Sequence, residues 1–346
     1  MDLSQSSDSK TDSGIWRYSS GMWPNTLAIA YVFVAQGLGL AGIVADSLVI
    51  NIGASLLIAH SLVVAAYLIH ELAHALVFNA RRHNRLLGEI LLWICGAGYA
   101  SFERVRWMHL RHHSDRADVA CFDHQAFLRK APRWLKKLIY AAEWCHIPAV
   151  ELVMHYQVIY RPFIDKSVAT ERKRVIVMLL TRGAFFVLLM SISLPAIVFY
   201  AFAYLLFIKA LFLADAYAHT YEIFIVAHNK EPVEKNGRDA EYDRHHTYSN
   251  LYSTRWPWLN LLNLNFGYHN AHHDRPATPW YRLPQMQWQL YDKESPQVLP
   301  YRELWRSVHK NRLACILTDD FGDVSKGPGR ADGFLGVHGV SFLSIV

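Results

Sequence analysis

The chain has 346 residues, of which 52% are hydrophobic and 18% charged, with a formal net charge of +6. A soluble domain carries about 25% charged residues, and here the apolar residues fall in long runs, which points to a bilayer rather than to water. The basic residues follow the loops between those runs, so the chain is not a nucleic-acid binder, and Cys95, Cys121, Cys145 and Cys315 lie too far apart for a disulfide scaffold, a zinc ribbon or an iron–sulfur site.

Met1 to Ser13 is rich in Ser and Asp and lacks the basic and apolar blocks of a signal peptide, so residues 1–20 are expected to form a disordered tail. Asn25 to Ala45 and Ser47 to Ile69 are uncharged and long enough to span a bilayer, with a short turn at Asp46. Leu86 to Tyr99 is apolar but short. Fourteen helical residues rise only ~21 Å against a hydrocarbon core of ~30 Å, so a re-entrant or interfacial helix is expected. Lys130 to Tyr160 mixes apolar, aromatic and basic residues and reads as one amphipathic interfacial helix.

Val175 to Leu194 and Ala196 to Ala214 form a second spanning hairpin that turns at Pro195. Arg182 and Lys209 inside it are expected to snorkel to the interface, the alternative being contact with an anionic lipid head. Glu231 to Asp243 is polar and loop-like, and Trp256-Pro257-Trp258 resembles an interfacial anchor. The expected architecture is all-α and polytopic: four transmembrane helices in two hairpins, a short re-entrant helix and a histidine-rich helical cap. One domain is expected over 21–325, with a Gly-rich mobile tail over 326–346.

Both hairpin turns lack Lys and Arg, whereas the opposite side carries Arg81, Arg82, Arg85, Arg104, Arg106, Arg129, Lys130, Arg172, Lys173 and Arg174. The positive-inside rule places that side in the cytoplasm. Three histidine clusters fall there: His70 and His74 at i and i+4, then His109, His112 and His113, then His269, His272 and His273, both at i, i+3 and i+4. Each spacing puts its imidazoles on one helical face, and imidazole is the commonest nitrogen ligand for a transition metal. His219, just past the fourth span, is a candidate ninth ligand, with Asp215 at i−4 to orient it. His146, His155, His245 and His246 have no such spacing. Glu71, Asp115, Asp118 and Asp274 stand beside the clusters and are candidates to orient ligand imidazoles. So many nitrogens suit two metals, and iron with an open position suits O2 better than zinc does.

At these residues the chain resembles the integral-membrane fatty acid desaturases and hydroxylases. His70-x-x-x-His74, His109-x-x-His112-His113 and His269-x-x-His272-His273 are similar to their three histidine boxes, and the likeness covers about 25–290. The resemblance implies two irons held by those eight histidines, O2 as co-substrate, a lipid or free fatty acid substrate, and electrons from a separate reductase or ferredoxin-type protein. Acyl-CoA desaturases carry Asn-x-x-x-His at the end of the fourth helix; here Asp215-x-x-x-His219 occupies that place, which carries His219 over as a ligand and departs at Asp215. The wording around box three is also similar to bacterial members that turn free fatty acids into terminal alkenes by oxidative decarboxylation. Desaturation, decarboxylation and hydroxylation therefore all stay open. Two other classes compete: a metal transporter, and a zinc hydrolase, since His70-Glu71-Leu72-Ala73-His74 matches His-Glu-x-x-His.

Overall fold

The computed structural model describes residues 14–120, 122–221, 224–226, 237–318, 320–324, 329 and 331–337. Among the described residues, four helices are long and apolar enough to cross a membrane: α1 (Met22–Gly42) and α2 (Leu48–Ala73), then, after the helices introduced below, α8 (Arg172–Ile192) and α9 (Leu194–Asp215). The first hairpin turns as expected around Asp46. Asn51 caps it, its Nδ2 donating to Gly42 O and Ala45 O at 2.9 Å each, and so satisfies carbonyls that lipid could not. The two helices approach closely through small residues: a Cβ on Gly39 would stand 2.4 Å from Ile58 Cγ1, and one on Gly42 2.6 Å from Ala54 Cβ.

The second hairpin turns at Ser193, not at Pro195, because Pro195 occupies the first turn of α9, where its missing N–H costs nothing. α2 is the central helix. It is buried on nearly every face from Leu62 to Ala73, with α1, α9 and two short helices, α3 (Arg81–Ile94) and α4 (Phe102–Asp115), packed on it. Leu27, Leu38, Leu180, Val187 and Val198 face outward from the other spans, as lipid-facing side chains should.

α3 has the short length read from the sequence, and the chain returns to pack Phe102 against Gly88 instead of spanning. Arg182 corrects an expectation. It neither snorkels nor is free for a headgroup: it donates to Trp93 O, to Ile94 O at 2.9 Å and to Tyr200 Oη at 3.2 Å, so it caps α3 inside the bundle. Lys209 lies over the Phe212 ring, 4.4 Å from its centroid.

The single amphipathic helix expected over 130–160 is two. After α5 (His124–Lys130), α6 (Arg133–Trp144) and α7 (Ala149–Ile164) are broken between Cys145 and Pro148, since the residue before a proline disfavours the α conformation. Beyond α9 come α10 (Ala240–His245), α11 (His269–Asp274), α12 (Leu283–Leu290), α13 (Tyr301–Asn311) and α14 (Ala314–Leu317). Asp243 therefore sits in a helix, not in a loop, while 231–236 lie outside the described residues.

The all-α class holds, with two additions the sequence reading missed. β1 (Asp118–Ala120) pairs in parallel with β2 (Phe224–Val226), and β3 (Ser249–Leu251) with β4 (Val298–Pro300). The first ladder ties the segments that follow α4 and α9 to each other, and the second ties the segment before α11 to the one that leads into α13.

Residues 1–13, Cys121 and 338–346 lie outside the described residues. The remainder of the expected N-terminal tail is built into the domain: Trp16 stacks on Phe78 at 5.2 Å and Arg17 N donates to Val77 O at 3.0 Å. The described part of the expected Gly-rich tail is also docked. Phe334 is fully buried against Tyr217, and Val337 N donates to Ala216 O at 2.7 Å.

Candidate metal centre

Four segments deliver nine histidines to one place. His70 occupies the last turn of α2 and His74 follows it. The Ser101 side chain caps the start of α4, and α4 presents His109, His112 and His113. His219 lies beyond α9, in an isolated bridge with Thr247. α11 carries His269, His272 and His273. A six-residue helix is not stable alone, and this one has no side-chain N-cap. Neighbours hold it instead: Asn270 Nδ2 donates to Thr247 O at 2.6 Å, Asn270 N to Ser249 Oγ at 3.0 Å and Ala271 N to Gln287 Oε1 at 3.2 Å. Gly267 is required beside it, because a Cβ there would stand 2.3 Å from Asn250 O.

The histidines sort into two groups, His70, His74, His109, His113 and His272 in one and His112, His219, His269 and His273 in the other. Within each, one ligand atom per residue lies within 4.8 Å of all the others. In the first, Nε2 of His109 stands 2.7 Å from that of His74 and 3.2 Å from that of His113, which is 3.1 Å from His272 Nε2. In the second, His219 Nε2 lies 3.2 Å from His112 Nε2 and 2.9 Å from His269 Nε2. Two nitrogens bound to one ion at about 2.1 Å, at angles of roughly 90–110°, stand about 3.0–3.4 Å apart. The donor set therefore fits two ions. His273 Nε2 is buried with no hydrogen-bond partner among the described residues, which also fits a nitrogen reserved for a metal. The groups are adjacent, with the His113 and His273 rings 4.3 Å apart.

The opposite ring nitrogens are held from behind. His112 Nδ1 meets Ala117 O at 2.8 Å, with Asp118 Oδ1 4.0 Å away. His219 Nδ1 meets Thr247 Oγ1 at 3.3 Å, and His273 Nδ1 meets Asp243 Oδ1 at 3.3 Å. Partners on Nδ1 leave Nε2 as the lone-pair nitrogen facing inward. Burial favours the neutral, ligating form in most of the rings: it pushes His74, His109, His113, His219, His269 and His272 well below their ordinary value, with neighbouring histidines adding to the effect. Burial, with the crowding of neighbouring imidazoles adding, pushes His112 down to about 3. Burial also pushes the Asp118 carboxyl up to about 8. Asp243 is pulled the other way, to about 2: burial alone would raise it, but the bonds from His273 and Tyr221 outweigh that.

The acidic neighbours read from sequence fare unevenly. Glu71 lies 3.6 Å from His70 Nδ1 and accepts from Trp280 N at 3.0 Å. Asp115 instead pairs with Arg111 at 2.6 Å, its i−4 neighbour, and Asp274 with Arg244 at 3.2 Å and Tyr291 Oη at 2.8 Å. α9 ends at Asp215, so Asp215 and His219 do not share a helical face as the spacing suggested; the group that meets His219 Nδ1 is Thr247 Oγ1. His146 meets His309 at 3.1 Å and His155 meets Tyr204 at 3.1 Å. His245 and His246 bond back to carbonyls of their own turn. None of these four joins either group. Sequence reading missed Asp243, Thr247 and Tyr221, whose hydroxyl donates to Asp243 Oδ1. Their only local signal is the i, i+4 spacing of Asp243 and Thr247.

Two comparisons with known proteins agree with this geometry. The chain is 29% identical to the sphingolipid delta(4)-desaturase DES1 of Drosophila melanogaster over 257 residues, 73% of this chain and 68% of that protein. The sequence pattern of the fatty acid desaturase family matches residues 46–305. With four spanning helices and two histidine groups gathered at one end of them, the chain belongs to the fatty acid desaturase family, the membrane desaturases and hydroxylases that its three boxes resemble.

Proposed function

We propose that the nine clustered histidines hold two irons and that the protein desaturates the chain of a membrane lipid. The observation that carries this is the division of nine histidines, six of them buried and three partly buried, into adjacent groups of five and four at one end of an apolar bundle. Two irons, when bound, supply the power to oxidise an unactivated C–H bond with O2. The reaction balances as one O2, two electrons and two protons consumed, and one C=C bond and two waters formed. The electrons come from a separate reductase or ferredoxin-type protein. The chain's own part is to keep the imidazoles neutral, to fix their rings through Thr247, Asp243 and Ala117, and to hold the site among apolar helices.

The relative's name supports a lipid-linked chain as substrate and desaturation as the outcome. Decarboxylation of a free fatty acid to a 1-alkene, and hydroxylation, begin with the same hydrogen abstraction and differ in the later steps. A zinc hydrolase is disfavoured because Glu71, which would be its general base, is committed to Trp280 N. Mass spectrometry after feeding the iron-loaded protein a defined lipid and a free acid of the same chain length decides. Desaturation gives a product two hydrogens lighter. A 1-alkene one carbon shorter, or a product heavier by one oxygen, would replace this reading with decarboxylation or hydroxylation.

The site faces the cytoplasm of a bacterial inner membrane in this reading, since the basic residues gather at its end of the bundle. An impermeant thiol reagent is expected to label Asp46→Cys in intact cells, and Arg82→Cys only after permeabilisation. Labelling of Arg82→Cys from outside would invert the topology.

A further inference from the structure

The second histidine group is backed by a row of aromatic rings. The Tyr221 ring lies nearly parallel to that of His219, with 4.4 Å between centroids and 15° between planes. Tyr242 continues the row at 6.1 Å and 14° from Tyr221, and His246 stacks on Tyr242 at 3.9 Å. Tyr221 also borders the His112 and His273 rings, at 5.7 Å and 6.4 Å, so it adjoins three of the four histidines of the group. It is fully buried, whereas Tyr242 and His246 are partly exposed. The row therefore leads from the ligands to the surface. Aromatic pairs are ordinary in a core; the Tyr221 hydroxyl sets this row apart. It donates to Asp243 Oδ1 and stands 3.4 Å from His273 Nδ1, the nitrogen that faces away from the metal. The phenol thus lies behind the ligand rings, bonded to a carboxylate able to receive its proton.

A phenol has no accessible reduced form, but it gives up one electron readily when its proton has somewhere to go. A row of phenols beside an oxidising centre therefore passes electrons inward by being oxidised and refilled. The phenolic O–H bond is weaker than the C–H bond of an alkyl chain, so a centre that can attack the lipid can also attack Tyr221. We propose that Tyr221 is a redox-active residue that discharges the O2-oxidised metal centre when no lipid chain is in place, and that Tyr242 connects it to the surface. This rests on the two-iron reading and goes beyond it. In each passage Tyr221 gives one electron to the centre and its proton to Asp243, leaving a neutral tyrosyl radical. Tyr242 returns the electron and Asp243 the proton. Tyr242 releases its own proton to water, and its radical is then reduced and reprotonated at the surface by a one-electron donor, a ferredoxin-type protein or a thiol. Two passages supply the two electrons that the lipid would have given, and with two protons from water the O2 still ends as two waters. The device spares the ligand imidazoles, the other oxidisable groups beside the metal. Because the phenol lies behind the rings, a lipid chain seated against the metal is oxidised first.

The test reads a radical, not turnover. Iron-loaded chain in nanodiscs is reduced stoichiometrically with dithionite, mixed with O2 in the absence of lipid substrate, freeze-quenched and examined by electron paramagnetic resonance. The wild type is expected to give a tyrosyl signal that narrows when the protein carries ring-deuterated tyrosine. Tyr221→Phe keeps the stacked ring and loses only the hydroxyl. Its signal is expected to vanish, and peptide mass spectrometry is expected to find more oxygen added to His219 and His273 than in the wild type. Tyr242→Phe, one ring further from the metal, is expected to keep its iron and to lengthen the life of the radical, because Tyr221 is no longer refilled. That variant decides the matter if Tyr221→Phe fails to hold iron. A lipid substrate added before O2 is expected to replace the radical by olefin. No radical in the iron-loaded wild type, the same signal in Tyr221→Phe, or an unchanged lifetime in Tyr242→Phe overturns the relay, and a chain that still forms olefin then remains a desaturase. A chain that takes up no iron overturns the two-iron reading and the relay with it.

Discussion

Replacement of His272 by alanine is expected to abolish turnover and to release the metal held by the first group, while the protein still inserts into membranes. His272 is fully buried and its Nε2 faces that of His113 at 3.1 Å, so its removal takes a nitrogen from the interior of the first group. Loss of a group that merely orients a ligand weakens metal binding or activity about 10–100-fold, and loss of the ligand itself should exceed that. The spanning helices do not depend on α11, which is held by Asn270, Ser249 and Gln287, so insertion should survive. His112→Ala should do the same to the second group. Metal content and olefin yield of the purified variants check both. Full activity in either would remove the two-metal reading.

His219 and its surroundings give the second large effect. His219→Ala is expected to lower metal content by half and to abolish activity, because His219 Nε2 sits between those of His112 and His269. Asp243→Asn removes the carboxylate that meets His273 Nδ1 and accepts from Tyr221, so metal should weaken about 10–100-fold and be restored by excess iron. Asp215→Asn should leave metal unchanged, since Asp215 ends α9 and Thr247 holds the His219 ring. Metal titration of the three variants checks the order. Undiminished iron in His219→Ala would leave a site of eight histidines.

The parts of this protein that could be read from the sequence are those fixed by local periodicity. The one-face spacing of His109, His112 and His113 survives folding because α4 is a helix, and hydropathy alone locates the four spans because lipid forbids unpaired backbone. What failed depended on partners distant in sequence. Asp115 and Asp274 stand next to boxes, but Arg111 lies one turn from Asp115 and Arg244 is brought to Asp274 by the packing of α10 on α11. Asp243 lies 30 residues before His273, and only that packing joins them. Arg182 looked like a snorkelling cation because nothing local shows that α3 ends beside it with bare carbonyls. The break of the expected interfacial helix was within reach, since Pro148 marks it.

Metal analysis of the purified wild-type chain bears on the central claim most directly. Elemental mass spectrometry of protein expressed with ample iron is expected to find close to two irons per chain and little zinc, one ion for each histidine group. One zinc per chain, or no bound metal at all, would contradict the account.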